Sequence, residues 1–167
     1  MKLETERLII TEFAPDMAYD VHRNSLDEDT RRFVPDEVFE TEEDAKETVD
    51  FLISCYGGES GPFVYPILRR DGINLGYVQL APIGEGWEIG YHISKQYTGK
   101  GYASEAVRAF LPYMMEQAGI KQVHGICISE NAASRKVMEK CGFVLVFEGQ
   151  GEYQETVQNI CRYLFPR

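Results

Sequence analysis

The 167-residue chain is 44% hydrophobic and 12% aromatic, values that exclude a disordered segment and predict one domain, residues 1–167, with a packed core. Its net charge of −10 opposes binding to nucleic acid or to an anionic lipid surface, and leaves acidic surface for solubility or for a cationic amine. Cys55, Cys127, Cys141 and Cys161 are widely spaced and form no zinc-type pattern; with no signal-like start and no membrane-length apolar run, they predict a cytoplasmic protein with reduced, mostly buried thiols and no metal.

The apolar run 8–13 reads as a first strand. Pro15 and Asp16 then open a short helix to about Asn24, and residues 27–39 read as irregular, acidic and proline-interrupted. Thr41 begins a capping box for a helix whose Ala45, Val49, Leu52, Ile53 and Tyr56 recur at helical spacing, ended by Gly57-Gly58. Residues 63–68 and 75–80 predict two strands joined at Asp71-Gly72, with Pro66 signalling an edge or a bulge in the first.

Trp87, Ile89, Tyr91 and Ile93 alternate with Glu88, Gly90, His92 and Ser94, a strand with two distinct faces. The next helix carries Ala103, Ala106, Val107, Phe110, Leu111 and Met114 along one side, and Pro112 should bend it or end it early. A strand at 122–128, a short helix at 131–140 between Asn131 and Gly142, and strands at 143–147 and 157–164 complete the chain. The order predicts an α/β (α+β) fold: a mixed, mostly antiparallel sheet of six to seven strands flanked by about four helices.

Between the two-faced strand and its helix lies Gln96-Tyr97-Thr98-Gly99-Lys100-Gly101-Tyr102-Ala103. A glycine turn at a strand-to-helix junction presents unpaired N–H groups and the positive end of the helix dipole, which suits a phosphate. Lys100 is followed by Gly101 and not by Ser or Thr, so this is not a P-loop. Ser104 stands where a dinucleotide fingerprint needs its third glycine. An ordinary glycine turn opening a helix remains the alternative.

The Gln-x-x-Gly-x-Gly pattern resembles the pyrophosphate loop of the GCN5-related N-acetyltransferases. Two other stretches are similar to the branch of that family that acetylates ribosomal-protein N-termini: Leu3-Glu4-Thr5-Glu6-Arg7-Leu8 at the start, and Asn131-Ala132-Ala133-Ser134 continuing to Cys141-Gly142-Phe143. The resemblance spans nearly the whole chain. It implies acetyl-coenzyme A as co-substrate, with backbone groups of His92, Ile93 and Ser94 along the pantetheine arm. The pyrophosphate would rest on the N–H groups of Thr98, Gly99, Lys100, Gly101, Tyr102 and Ala103, with Gln96 opening the loop and Asn131 contacting the coenzyme A arm. Asn131 is equally suited to be a plain helix cap, and Lys100 to be solvated.

The reaction implied is acetyl transfer to a primary amine by direct attack, which needs a group to take the ammonium proton. Glu88, on the strand leading into the loop, is the candidate base; His92, four residues on and on the same face, is a second. Many family members place a tyrosine acid seven residues after the asparagine; that residue is Met138 here, so Ser134 becomes the candidate partner of the departing sulfur. Acceptor recognition would fall to about 26–40 and 149–156, acidic segments suited to a peptide N-terminus, a polyamine, an aminoglycoside or another small-molecule amine, in a monomer or homodimer. A catalytically weak acyl-coenzyme A-binding sensor is the alternative function.

Overall fold

The structure, a computed structural model, describes residues 1–166. One mixed sheet of eight strands organises it: β1 (Lys2–Glu4), β2 (Leu8–Thr11), β3 (Phe63–Arg69), β4 (Asn74–Ile83), β5 (Gly86–Ile93), β6 (Val123–Ile128), β7 (Val144–Tyr153) and β8 (Thr156–Phe165), in spatial order β1-β2-β3-β4-β5-β6-β8-β7. Five helices accompany it: α1 (Ala18–Asn24), α2 (Glu28–Phe33), α3 (Glu42–Cys55), α4 (Tyr102–Ala118) and α5 (Ala132–Lys140).

Three readings of the sequence change. The 27–39 segment contains α2, because Asp27 caps it: its carboxylate accepts from the Thr30 N–H at 2.7 Å and the Thr30 hydroxyl at 2.8 Å. Helix α4 runs through Pro112 to Ala118. Pro112 and Arg108, the residue whose carbonyl loses its partner, both face solvent, so that carbonyl is left open to hydration while Phe110, Leu111 and Met114 stay buried. The strands gain β1, and β7 extends to Tyr153, where Gln154 and Glu155, at φ 54° and 62°, close a two-residue hairpin. Pro66 sits in an interior strand beside a bulge at Ile67/Leu68.

Two cores lie on the two faces of the sheet. On one, α4 buries Ala106, Val107, Phe110 and Leu111 against residues such as Ile10, Ile67, Val78 and Leu80. On the other, α1 and α3 pack Ala18, Val49 and Leu52 against Val64. The Tyr56 hydroxyl pins α3 down, donating to the Val64 carbonyl at 2.6 Å and accepting from the Phe13 N–H at 3.0 Å.

Strand pairing then creates the feature that matters for function. β4 and β5 are paired along their length, from Ile83↔Gly86 to Gly76↔Ile93. β5 and β6 run parallel and share a single rung, Glu88↔His124, while β6 stays paired with β8. Beyond Glu88 the two strands part and the sheet opens.

Candidate active site

A cleft of about 700 Å³ occupies this opening. Because side chains alternate along β5, it is lined from both faces: Glu88, Gly90 and His92 from the face covered by α1–α3, Ile89 and Tyr91 from the face under α4. Thr98 and Ala103 line one end; Asn131 and Ser134 of the α5 start form one wall. Asp36, Glu37, Glu152 and Tyr153 close over it from the 3₁₀ turn Pro35–Glu37 and the β7–β8 hairpin, which meet where the Asp36 N–H reaches the Gln154 side-chain oxygen at 3.4 Å.

The glycine turn has the form read from the sequence. Gly99 and Gly101 adopt φ 77° and 80°, and Gly101 caps α4 with no side chain. Glu105 N–H returns to the Gly101 carbonyl at 3.1 Å, but no group among the described residues accepts from the N–H groups of residues 99–104. An added Cβ on Gly99 would meet nothing within 4 Å, so its glycine serves the backbone angle rather than close packing. The side chain of Tyr102 is buried beneath the Arg7 guanidinium, 4.5 Å from its ring, so only its N–H faces the turn. The side chains of Gln96 and Lys100 are exposed.

Not every expected group faces the cleft. The Ser94 N–H donates to the Leu75 carbonyl at 2.8 Å and the Ser94 carbonyl accepts from Tyr97, so this backbone is engaged within the fold. His92 and Ile93 do line the cleft. Asn131 caps α5, its side-chain oxygen accepting from the Ser134 N–H at 3.2 Å, which leaves its amide N–H groups for another partner.

The two candidate bases differ. Burial, followed by the Asp36 carboxylate, raises the Glu88 carboxyl to about 7. His92 is tied into the fold. Its Nε2 lies 2.8 Å from the Thr30 hydroxyl, whose own proton goes to Asp27, so Nε2–H donates and carries no free lone pair. Burial lowers its basicity, opposed by Asp27 and Asp29, and its ring stacks on Tyr77. His92 thus braces α2 against the sheet.

Ser134 has a partner that sequence reasoning missed. The Tyr91 hydroxyl donates to the Ser134 carbonyl at 2.9 Å and lies 3.0 Å from the Ser134 Oγ, bridging β5 and α5 across the opening. Met138, seven residues after Asn131, is 2% exposed with its sulfur against Gly125 of β6; it packs the core and supplies no acid.

Glu37 and Tyr153 were also missed. Burial, then Asp36 and Glu88, raises the Glu37 carboxyl to about 8. Burial, then Glu88 and Glu37, raises the Tyr153 phenol, so the three groups face one another. No spacing in the sequence joins residues 37, 88 and 153; only the closure of the turn and the hairpin over β5 does. Among the described residues no cluster of His, Cys, Asp or Glu could hold a metal ion, and the four cysteines are free.

Residues 7–144 match the acetyltransferase (GNAT) domain model, and the chain belongs to that family. It is 33% identical over 144 residues to the uncharacterized N-acetyltransferase YnaD of Bacillus subtilis, covering 85% of this chain and 82% of that one. Its fold is that of a GNAT-family acetyltransferase from Bacillus anthracis (27% identity, TM-score 0.84, 99% and 98% of the two chains covered). It is also that of RimL, the ribosomal L7/L12 α-N-protein acetyltransferase solved with coenzyme A (18% identity, TM-score 0.83, 98% and 97% covered). The chain is thus an N-acetyltransferase-family enzyme on a GNAT fold, and no helix among the described residues is long and apolar enough to cross a membrane.

Proposed function

We propose that the protein transfers an acetyl group from acetyl-coenzyme A to a primary amine, a small molecule or a peptide N-terminus. The observation that carries this reading is the single β5–β6 rung, Glu88↔His124, beyond which the opened sheet leads to the unpartnered N–H groups at the start of α4. The Thr98 N–H donates to the Lys95 carbonyl at 3.2 Å, so the N–H groups of residues 99–103 would hold the pyrophosphate, helped by the helix dipole. The pantetheine arm would lie between β5 and β6, against His92 and Ile93 on one side and Asn131 on the other.

The chemistry follows from the groups at the vertex. An ammonium must lose its proton before it can attack, and Glu88, with a carboxyl near 7, is ionised enough near neutral pH to take it. The amine nitrogen then attacks the thioester carbonyl carbon, while the backbone N–H near Ile93 stabilises the oxyanion. A C–N bond forms, the C–S bond breaks, the nitrogen releases its remaining extra proton to solvent, and the departing thiolate accepts a hydrogen bond from the Ser134 hydroxyl that Tyr91 positions.

Two measurements test this. Acetyl-coenzyme A at ~100 times its dissociation constant should stabilise the protein by about 2.7 kcal/mol in a thermal-shift titration. Free thiol should then appear when an amine panel is added. Binding without turnover across the panel would favour the sensor reading; no shift at millimolar acetyl-coenzyme A would overturn both.

A further inference from the structure

A second cavity, of about 560 Å³, lies against the cleft on the α1–α3 face of the sheet. Thr30, Asp36, Glu37, Tyr77, Gln79 and His92 line both cavities, so the two are contiguous. Away from that shared wall the lining is apolar, with Phe13, Val21, Phe51, Leu52 and Val64 prominent. Phe51 is 55% exposed although it sits on a helix whose outward face is otherwise polar, so the apolar surface reaches the solvent at the rim.

Strand register fixes where this cavity lies relative to the chemistry. Ala81 is the cross-strand partner of Glu88, Gln79 of Gly90 and Tyr77 of His92. Directly opposite residues project on the same face with Cβ atoms roughly 5 Å apart. Ala81 lines the apolar cavity, so the Glu88 carboxyl stands at its border. Gly90 makes room for Gln79: a Cβ there would lie 2.6 Å from the Gln79 side-chain nitrogen, which lies over this glycine at the border of the two cavities. Charge is therefore sorted by position. Asp36, Glu37 and Glu88 gather where the cavities meet, and no Asp or Glu lines the apolar cavity elsewhere.

Several polar residues of the cavity wall are already bonded within the fold. Asn24 donates to the Asn74 side-chain oxygen at 3.3 Å, and the Ser25 hydroxyl donates to the His22 carbonyl at 2.8 Å while accepting from the Phe39 N–H. Asn74 Nδ2 is the one buried side-chain nitrogen of this wall left without a partner. Thr48, Tyr77 and Gln79 are further polar side chains of a lining that is otherwise mostly apolar, so the wall favours an apolar body with few polar groups.

We propose that the acceptor is a monocationic primary amine with an apolar body, an arylalkyl or branched alkyl amine. Its ammonium sits among Glu88, Glu37 and Asp36, and its body fills the cavity bounded by Phe51, Leu52 and Val64. A polyamine would bring a second cation into a region with no carboxylate, at a large desolvation cost. A peptide would bring a run of backbone amides against a mostly apolar wall, where each unpaired group carries a desolvation cost. The volume lies within the ~300–1,000 Å³ range of small-molecule sites.

This inference rests on the acetyl-transfer reading, and the experiment separates the two. Thiol release is followed with four acceptors: 2-phenylethylamine, isopentylamine, spermidine and a serine-headed tetrapeptide. The two apolar amines should exceed the others in kcat/KM by at least about tenfold. Thr48→Trp, which fills the cavity from α3, and Phe51→Asp, which charges its exposed rim, should each raise KM for the apolar amines while acetyl-coenzyme A binding by thermal shift stays unchanged. Equal or better turnover of spermidine or the peptide overturns the substrate class and leaves acetyl transfer standing, as does an unchanged KM in Thr48→Trp. Acetyl-coenzyme A binding with no turnover of any amine overturns acetyl transfer itself, and the acceptor class with it.

Discussion

Arg7 and Glu105 form an ion pair at 2.6 Å that fastens the glycine turn to the opposite end of the chain. The same guanidinium donates to the Lys100 carbonyl at 2.8 Å, and Glu105 accepts from the Thr5 hydroxyl at 2.7 Å and the Arg7 N–H at 3.0 Å. The turn's shape is therefore held by the β1–β2 connection, 93 or more residues away in sequence.

Arg7→Met should loosen the Lys100 carbonyl and lower coenzyme A affinity by about tenfold, or ~1.4 kcal/mol. It should also cost about 1–2 kcal/mol of stability, a figure reduced because the guanidinium is partly exposed. Burial alone would raise the Glu105 carboxyl, but the Thr5 and Arg7 hydrogen bonds outweigh it and hold it low. That contribution is present above the ordinary carboxylate range and is lost as pH falls through the lowered value. The melting-temperature gap between wild type and variant should thus be wider at about pH 7 than at about pH 3.

Gly99→Asn and Gly99→Val should separate backbone demand from crowding. At φ 77° with open space around it, the position tolerates asparagine, whereas valine should cost about 1–2 kcal/mol. Urea melts of the two variants check this; equal losses would mean that the left-handed backbone is not the constraint.

The rate profile should report on Glu88. With its carboxyl raised to about 7, kcat/KM should climb through neutral pH as the base ionises. Glu88→Gln should keep acetyl-coenzyme A binding and lower turnover by ~10²–10⁴, with the gap closing at high pH where free amine accumulates. Asp36→Asn removes a neighbouring negative charge that raises Glu88, so it should move the wild-type rise to lower pH. Steady-state rates across pH with all three proteins decide the matter.

Glu37 predicts a stability effect of defined sign. Its folded value, about 8, stands above the ordinary 4.5, so the protonated carboxyl favours the folded state at low pH. That stability is complete below the unfolded value and is lost as pH rises through about 8. Glu37→Gln should therefore melt higher than wild type at about pH 9 and no higher at about pH 5, by calorimetry.

What the sequence disclosed was local. The positive-φ glycines, the Thr41 and Asn131 caps and the two-faced β5 each depend on residues within one turn or strand, so spacing reveals them. Helix α2 escaped because its Asp27 cap lies among other charges with Pro35 close behind. Pro112 misled because the rule against helix-interior proline assumes a buried face, and here that face is wet. Arg7, Glu37, Tyr91 and Tyr153 acquire their roles through contacts across tens of residues, which no local pattern encodes. Family likeness pointed to Asn131 and Ser134, which line the cleft, but gave no sign of the Tyr91 bridge to Ser134.

The opening beyond the Glu88–His124 rung perforates the sheet, since its walls come from both sides of β5. On the acetyl-transfer reading, donor and acceptor need not compete for one entrance: the thioester arrives from the α4 side and the amine from the α1–α3 side. Both fit at once, so the two substrates form a ternary complex and no acetylated side chain has to carry the group between half-reactions. Double-reciprocal plots would then intersect, and the acetylated amine has an exit that spent coenzyme A does not block.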